Sequence, residues 1–240
     1  MTLNIAIIGA GMAGITAART LVQAGHRVQV FEKSRGAAGR MSTRETVFGT
    51  FDHGTQYFTV RDPRFSLALQ TVAGTKEICR PWSASAVRVL DPLGHVFEAA
   101  KKNHDAHFVA SPGMNALVRH WAQPLGKALH LHNQVHRMER NANGLWILHT
   151  FNSSTRAEIP EIHAGFDRVL LAVPSVQAEQ LLRNSGVHAN EAHFLEAMSK
   201  VQVAPCWTLM LAFPNANNPD LPHLGPQWNA ARSTHHRVAW

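Results

Sequence analysis

The stretch AIIGAGMAGITAARTLVQAG, Ala6 to Gly25, sets Gly9, Gly11 and Gly14 among short apolar residues where an ordinary helix or strand would carry bulk. Just before the glycines, LNIAII is a short β-branched apolar run of the kind that forms a strand buried on both faces. Beyond them Met12, Ile15, Ala18, Leu21 and Val22 recur at steps of three and four, which predicts a helix. Gly25 stands where that helix needs a residue tolerant of positive φ to stop. RVQVFEK, with Val28 and Val30 alternating against polar neighbours, reads as the next strand. Strand, glycine turn, helix and strand within about thirty residues make a βαβ unit.

Each glycine in the GxGxxG spacing has a separate physical task. Gly9 permits the tight turn, Gly11 lets a pyrophosphate touch main chain, and Gly14 lets the helix lie close on the strand. The start of the helix, at Met12 and Ala13, presents free N–H groups and a positive dipole end to phosphates. Glu32 closes the second strand, where a carboxylate accepts hydrogen bonds from the ribose of an adenosine and repels a 2′-phosphate. Tight helix–strand packing alone would account for the glycines but not for this acid. Dinucleotide binding is therefore the better reading, with a nicotinamide and a flavin both open at this point.

Further along, VFGTFDHGTQYFTV suggests one or two strands, and DPRFSLALQTVAG opens a helix with Asp62 as cap and Pro63 at its first position. SAVRVLD and HVFEAA suggest a hairpin, SPGMNALVRHWAQ a helix, and Asn143-Gly144 a second hairpin between two alternating runs. FDRVLLAVPSVQAEQLL repeats the strand-to-helix idea with a break at Pro174, NEAHFLEAMSK adds a helix, and CWTLMLAF predicts a last strand. The chain then passes through loop-like composition to HRVAW, the opening of another strand. No repeat or flexible linker separates these pieces, so a second domain would be interleaved with the first.

The 240 residues, 45% hydrophobic, suffice for a real core, and the net charge of +7 favours anionic partners. Basic residues are scattered, which disfavours a nucleic-acid platform. No window nears 18 apolar residues and no Lys or Arg precedes Arg19, so the sequence predicts neither a membrane span nor a signal peptide, and a cytoplasmic protein. Cys79 and Cys206 stand far apart and predict reduced thiols. His130, His132 and His136 alternate in LHLHNQVH, placing the first two on one strand face, but without metal-ligand spacing they predict no metal.

The segments EKSRGAAGRMSTR (Glu32–Arg44) and GTFDHGTQYFTVRDPRF (Gly49–Phe65) together resemble the flavin-dependent amine oxidase superfamily, and most nearly its renalase-like bacterial branch. The resemblance extends from Leu3 to Trp240. It implies a glutathione-reductase-like α/β fold: a Rossmann FAD-binding domain from residues 1–60 and 107–180, interleaved with a smaller α+β substrate domain from 61–106 and 181–240. FAD would be held by Gly9, Gly11, Met12, Ala13, Gly14, Glu32, Lys33, Gly39, Arg40, Met41, Val135, Ala172 and Pro174. His53, Gln56 and Tyr57 would lie by the isoalloxazine ring as catalytic candidates. The implied activity is an oxidase that passes hydride from a reduced small molecule, a dihydronicotinamide or an amine, to flavin and then to O₂. Ala38 departs from the family's paired glycines, and a positive φ there would cost about 1–2 kcal/mol. A family segment beyond this point has no counterpart, which suggests a C-terminally shortened member. The rival readings are a shortened non-catalytic dinucleotide binder and a nicotinamide-dependent dehydrogenase.

Overall fold

The computed structural model describes residues 1–72, 74–82, 87–93, 95–99, 107–155, 160–186, 192–213 and 230–233. The chain opens with β1 (Asn4–Ile8), α1 (Met12–Gln23) and β2 (Arg27–Phe31). There follow β3 (Thr43–Thr46), β4 (Gly49–Asp52), β5 (Phe58–Thr59), α2 (Pro63–Thr71), α3 (Thr75–Ile78), β6 (Cys79–Pro81), β7 (Val87–Leu90), β8 (Val96–Ala99) and β9 (His107–Ala110). Next come α4 (Asn115–Ala122), β10 (Leu129–His130), β11 (Asn133–Arg140), β12 (Trp146–Asn152), β13 (Pro160–Phe166) and β14 (Arg168–Leu171). The remainder is α5 (Ser175–Asn184), α6 (Ala192–Ser199) and β15 (Ala230–Ser233). Two compact units result: Met1–Thr43 with Asn115–Thr208, and Arg44–Met114 with Leu209–Trp240.

The first unit is a Rossmann-like α/β body. Its parallel sheet runs β10-β2-β1-β14, with Ile5 beside Val28 on one side and Arg168 on the other. The pleat of β1 sorts its side chains. Ala6 and Ile8 join a cluster with Phe31 of β2, with Met138, Leu148 and Phe166 of the meander β11-β12-β13 and with Leu181 and Leu182 of α5, leaving Ile5 and Ile7 on the opposite face. Ile15 and Ala18 of α1 and Leu117, Val118 and Trp121 of α4 are buried as well. Arg19 ties those two helices by donating to the Trp121 carbonyl at 3.2 Å. Helix α1 stops as expected: Gly25 has φ +85°, its N–H reaches Val22 O, and His26 N–H reaches Leu21 O, a Schellman closure.

The second unit holds the antiparallel sheet β5-β9-β6, the hairpin β7–β8 with β15 parallel to β7, and β4 paired to β3. Helix α2 begins as its sequence predicts, with Asp62 accepting from Arg64 N–H at 2.8 Å and Pro63 in the first turn. The Asn143-Gly144 hairpin also forms in the first unit. Its loop runs from Asn141 to Leu145, and the Asn141 carboxamide organises it by accepting from the N–H groups of Asn143 and Leu145.

Two expectations are corrected. CWTLMLAF lies in no strand: Val201 to Phe213 carries neither helix nor ladder, and Trp207, Leu209, Leu211 and Phe213 are 97, 80, 58 and 70% exposed. A strand exists only through a partner, and here none of the described sheets supplies one. His130 and His132 do not share a strand face either. Strand β10 ends at His130, and His132 takes φ +57° to turn the chain, with its N–H donating to Ser34 O. The expected strand at HRVAW falls outside the described residues.

Candidate functional site

Where the parallel strands end, the first unit opens into a cleft of about 960 Å³. Its floor is the turn from β1 into α1, its walls the loop after β2, the first residues of β11, and the turn from β14 into α5. The cleft brings together Gly9, Gly11, Met12, Ala13, Glu32, Lys33, Gly39, Arg40, Met41, Val135, Ala172 and Pro174. Gly14 lies one turn into α1, just behind this floor.

The three glycines are bare for different reasons. At Gly9 φ is +104°, and a Cβ there would stand 2.6 Å from the Ala172 carbonyl oxygen. At Gly14 a Cβ would stand 1.9 Å from Gly9 O, so α1 can approach β1 this closely only without a side chain. Both are demands of the protein's own packing. Gly11 is another matter. Its φ of −75° and ψ of −177° suit any residue, and the nearest atom to a Cβ would be Gly39 Cα at 3.7 Å, an ordinary contact. The fold does not need Gly11 to be glycine; what a side chain there would fill is the cleft.

A second glycine turn leans on the first. Ala38 forms a bridge with Gly11, and Gly39, at φ +57°, sits so near that a Cβ would meet Gly11 Cα at 3.0 Å. Among the described residues His132 alone has positive φ without being glycine, so Ala38 bears no left-handed strain. The expected cost at that position is absent because the turn puts its positive φ on Gly39 instead.

Glu32 is buried and its carboxylate is held from both sides. Oε2 accepts from the Ala10 N–H and Oε1 from the Ser34 N–H, each at 2.8 Å. The main chain of Glu32 is fastened to the neighbouring strand and meander, its N–H to His130 O and its carbonyl to Asn133 N–H, both at 2.9 Å. Each carboxylate oxygen keeps a second lone pair, and the residue faces the cleft. Behind it Phe31 stacks on His130 at 4.8 Å and meets His163 edge-on at 4.8 Å. Burial pulls both histidines below their ordinary range, and for His163 the neighbouring His130 adds to this while Glu161 opposes it.

Sequence reasoning missed the polar wall facing Val135. Gln177, Gln180 and Asn184 of α5 line the cleft together with Gln134 and His136. The helical stripe was available as a signal, since its residues are three and four apart in the helix after Pro174. His136 was not, because it owes its direction to an irregularity of the β11–β12 ladder between Val135 and Arg137, where its ring stacks on Phe151 at 3.9 Å. His53, Gln56 and Tyr57 belong to the second unit. The first two occupy the connection from β4 to β5, and Tyr57 packs against Trp82 at 5.4 Å and His107 at 4.6 Å.

Comparison with known proteins adds the following. Residues 7–70 match the pattern of a NAD(P)-binding Rossmann-like domain, and residues 96–237 match that of the flavin containing amine oxidoreductases. A 4,4′-diapophytoene desaturase of Staphylococcus haemolyticus is 42% identical over 60 residues, 25% of this chain and 12% of the desaturase. The Staphylococcus aureus (strain Newman) enzyme is 42% identical over 52 residues, 22% of this chain and 10% of its own. Among solved structures, wild-type putrescine oxidase bound to putrescine superposes with a TM-score of 0.53 at 14% identity, over 75% of this chain and 60% of that one. A chain described as a protoporphyrinogen oxidase from Exiguobacterium superposes with a TM-score of 0.57 at 14% identity, over 80% and 64%. The matches thus span about an eighth or less of these desaturases and less than two thirds of these solved chains, and at such identity the structures bear on fold alone.

Proposed function

Since the chain belongs to the flavin containing amine oxidoreductase family, we propose that the cleft of the first unit takes FAD and that the protein is an FAD-dependent oxidoreductase. The supporting observation is Gly11, a glycine that neither its backbone angles nor its protein neighbours require. The residues fit the group. The Gly9–Gly11 main chain and the α1 N-terminus receive the diphosphate, Glu32 accepts from ribose hydroxyls with its two remaining lone pairs, and Arg40 supplies positive charge to the phosphates. Met12, Ala13, Lys33, Gly39 and Met41 complete that side, and Val135 main chain meets the adenine, with Ala172 and Pro174 closing the far wall.

In this reading the second unit is the smaller substrate domain, interleaved in sequence with the first, and His53, Gln56 and Tyr57 are its candidate catalytic residues. Bound flavin supplies the hydride acceptor, with O₂ as final acceptor and a small dihydronicotinamide-like or amine-like molecule as donor. The protein's share is binding, orientation and water exclusion. Glu32, pinned by two backbone N–H groups, fixes the adenosine end, so that the far end of the cofactor is delivered to one place.

Parallel titration with FAD and NAD tests the proposal. FAD is expected to bind with a resolved visible spectrum, and reduced nicotinamide to release peroxide from the complex. Gly11→Val should lose FAD affinity by at least about 100-fold, roughly 3 kcal/mol, while far-UV circular dichroism stays that of the parent. Tight NAD binding with no FAD uptake, or unchanged flavin content in the variant, would overturn it.

A further inference from the structure

We propose that the Gln180 carboxamide reads the base of the bound dinucleotide and makes the cleft select adenine over guanine, a proposal that rests on the reading of the cleft as a dinucleotide site. The observation behind it is the polar face of α5. Gln177, Gln180 and Asn184 all line the cleft, opposite β11, the outermost strand of the meander. Two bonds fasten that helix to the strand. Ser185 Oγ accepts from Met138 N–H at 2.9 Å, and Asn184 Nδ2 donates to His136 O at 3.4 Å. Leu181, next to Gln180, belongs to the buried cluster against which Val135 packs, and this sets the rotation of α5 about its axis.

The main chain of Val135 cannot tell the purines apart. Asn133 N–H leaves the outer edge of β11 for Glu32 O at 2.9 Å, and by the two-residue period Val135 N–H and C=O face the same way. One donor and one acceptor suit adenine through N1 and N6–H, and guanine equally through O6 and N1–H. The other edge of the base differs. There adenine offers N6–H and N7, a donor and an acceptor, whereas guanine offers O6 and N7, two acceptors. A carboxamide holds an acceptor and a donor side by side, so it pairs with adenine at both atoms and sets its own oxygen against guanine O6. Of the three carboxamides, that of Asn184 already gives an N–H to His136 O, and Gln177 stands one turn nearer Pro174 at the helix start. Gln180 lies between them, beside Leu181.

Displacement of FAD from the full chain by ADP and by GDP, followed through flavin fluorescence, tests this. The ratio of the two displacement constants does not depend on how tightly FAD itself is held. ADP is expected to displace at a concentration roughly 10-fold or more below that of GDP. Gln180→Leu should bring the two together by weakening ADP, and Gln180→Arg, whose guanidinium donates to both guanine acceptors, should put GDP ahead. Circular dichroism should stay that of the parent in both variants, since position 180 is exposed. FAD uptake with no preference for ADP, or a preference that survives Gln180→Leu, would overturn this proposal and leave the cofactor assignment standing. No FAD uptake by the parent would overturn both.

Discussion

Ala6–Gly25 and Trp207–Phe213 are both apolar stretches of regular period, yet one supplies several fully buried core residues and the other a run of large exposed ones. The difference is in partners. Within about thirty residues the first stretch brings its own: α1 returns over β1, β2 pairs with β1, and the glycines remove what would hold them apart. The second has the pattern of a strand and no described strand to pair with. Period states which face a segment would bury; it does not state against what.

The largest break in this comparison comes from Gly14→Val. Its Cβ would stand 1.9 Å from a backbone oxygen, and neither α1 nor the Gly9 turn can yield without losing the β1–α1 contact. A loss of more than about 4 kcal/mol is expected, read as absence of a cooperative melt. Gly11→Val, three residues earlier, should keep its melt within about 1 kcal/mol of the parent while losing the cofactor. Equal damage from the two would erase the distinction between a glycine the fold needs and one the cleft needs.

Next in size is Glu32→Gln. Its amide can accept one of the two N–H groups now bound to the carboxylate but turns a donor toward the other, which should cost about 2 kcal/mol. Chemical denaturation with and without FAD separates this from its binding effect: a variant that loses stability but binds FAD as the parent does would leave Glu32 a structural residue only.

These cases mark what the sequence could tell. The βαβ unit, Gly25 as helix stop, Asp62 as cap and the Asn143-Gly144 hairpin were legible because each rests on contacts between residues a few positions apart. Twelve of the thirteen predicted cofactor positions reach one cleft because the glycine turn, the acid and the strand end before Pro174 all lie where parallel strands finish. What escaped depends on distant neighbours. Ala38 avoids strain through the path of a turn packed on Gly11, His132 leaves its strand to reach Ser34, and His136 is re-aimed by a ladder irregularity.

A smaller effect should follow pH. His130 and His163 flank Phe31, behind Glu32, and burial holds both below the ordinary imidazole value of 6.5. The facing groups are Gln29, whose Oε1 is 3.1 Å from His130 Nε2, and Glu161, 3.8 Å from His163 Nε2. A depressed folded-state value means that the unfolded chain takes up protons first as pH falls below 6.5, so stability is full above that value and declines through the depressed range beneath it. Tm should drop between pH 7 and pH 5, and His130→Gln should flatten that slope. A Tm that rises on acidification would mean that Glu161 outweighs burial.

The smallest expected change sharpens the contrast at single-atom scale. Cys206 begins the exposed segment, whereas Cys79 opens β6, where burial pushes its thiol up to about 11. Alkylation requires thiolate, so at pH 8 the Cys79 fraction available is smaller by about two orders of magnitude than for a thiol at the usual 8.5. Mass spectrometry during mild iodoacetamide treatment should find one adduct, on Cys206, in the native protein and two after denaturation. Cys79 reacting first would put the half-buried start of β6, rather than the exposed segment that Cys206 begins, at the accessible end of the comparison.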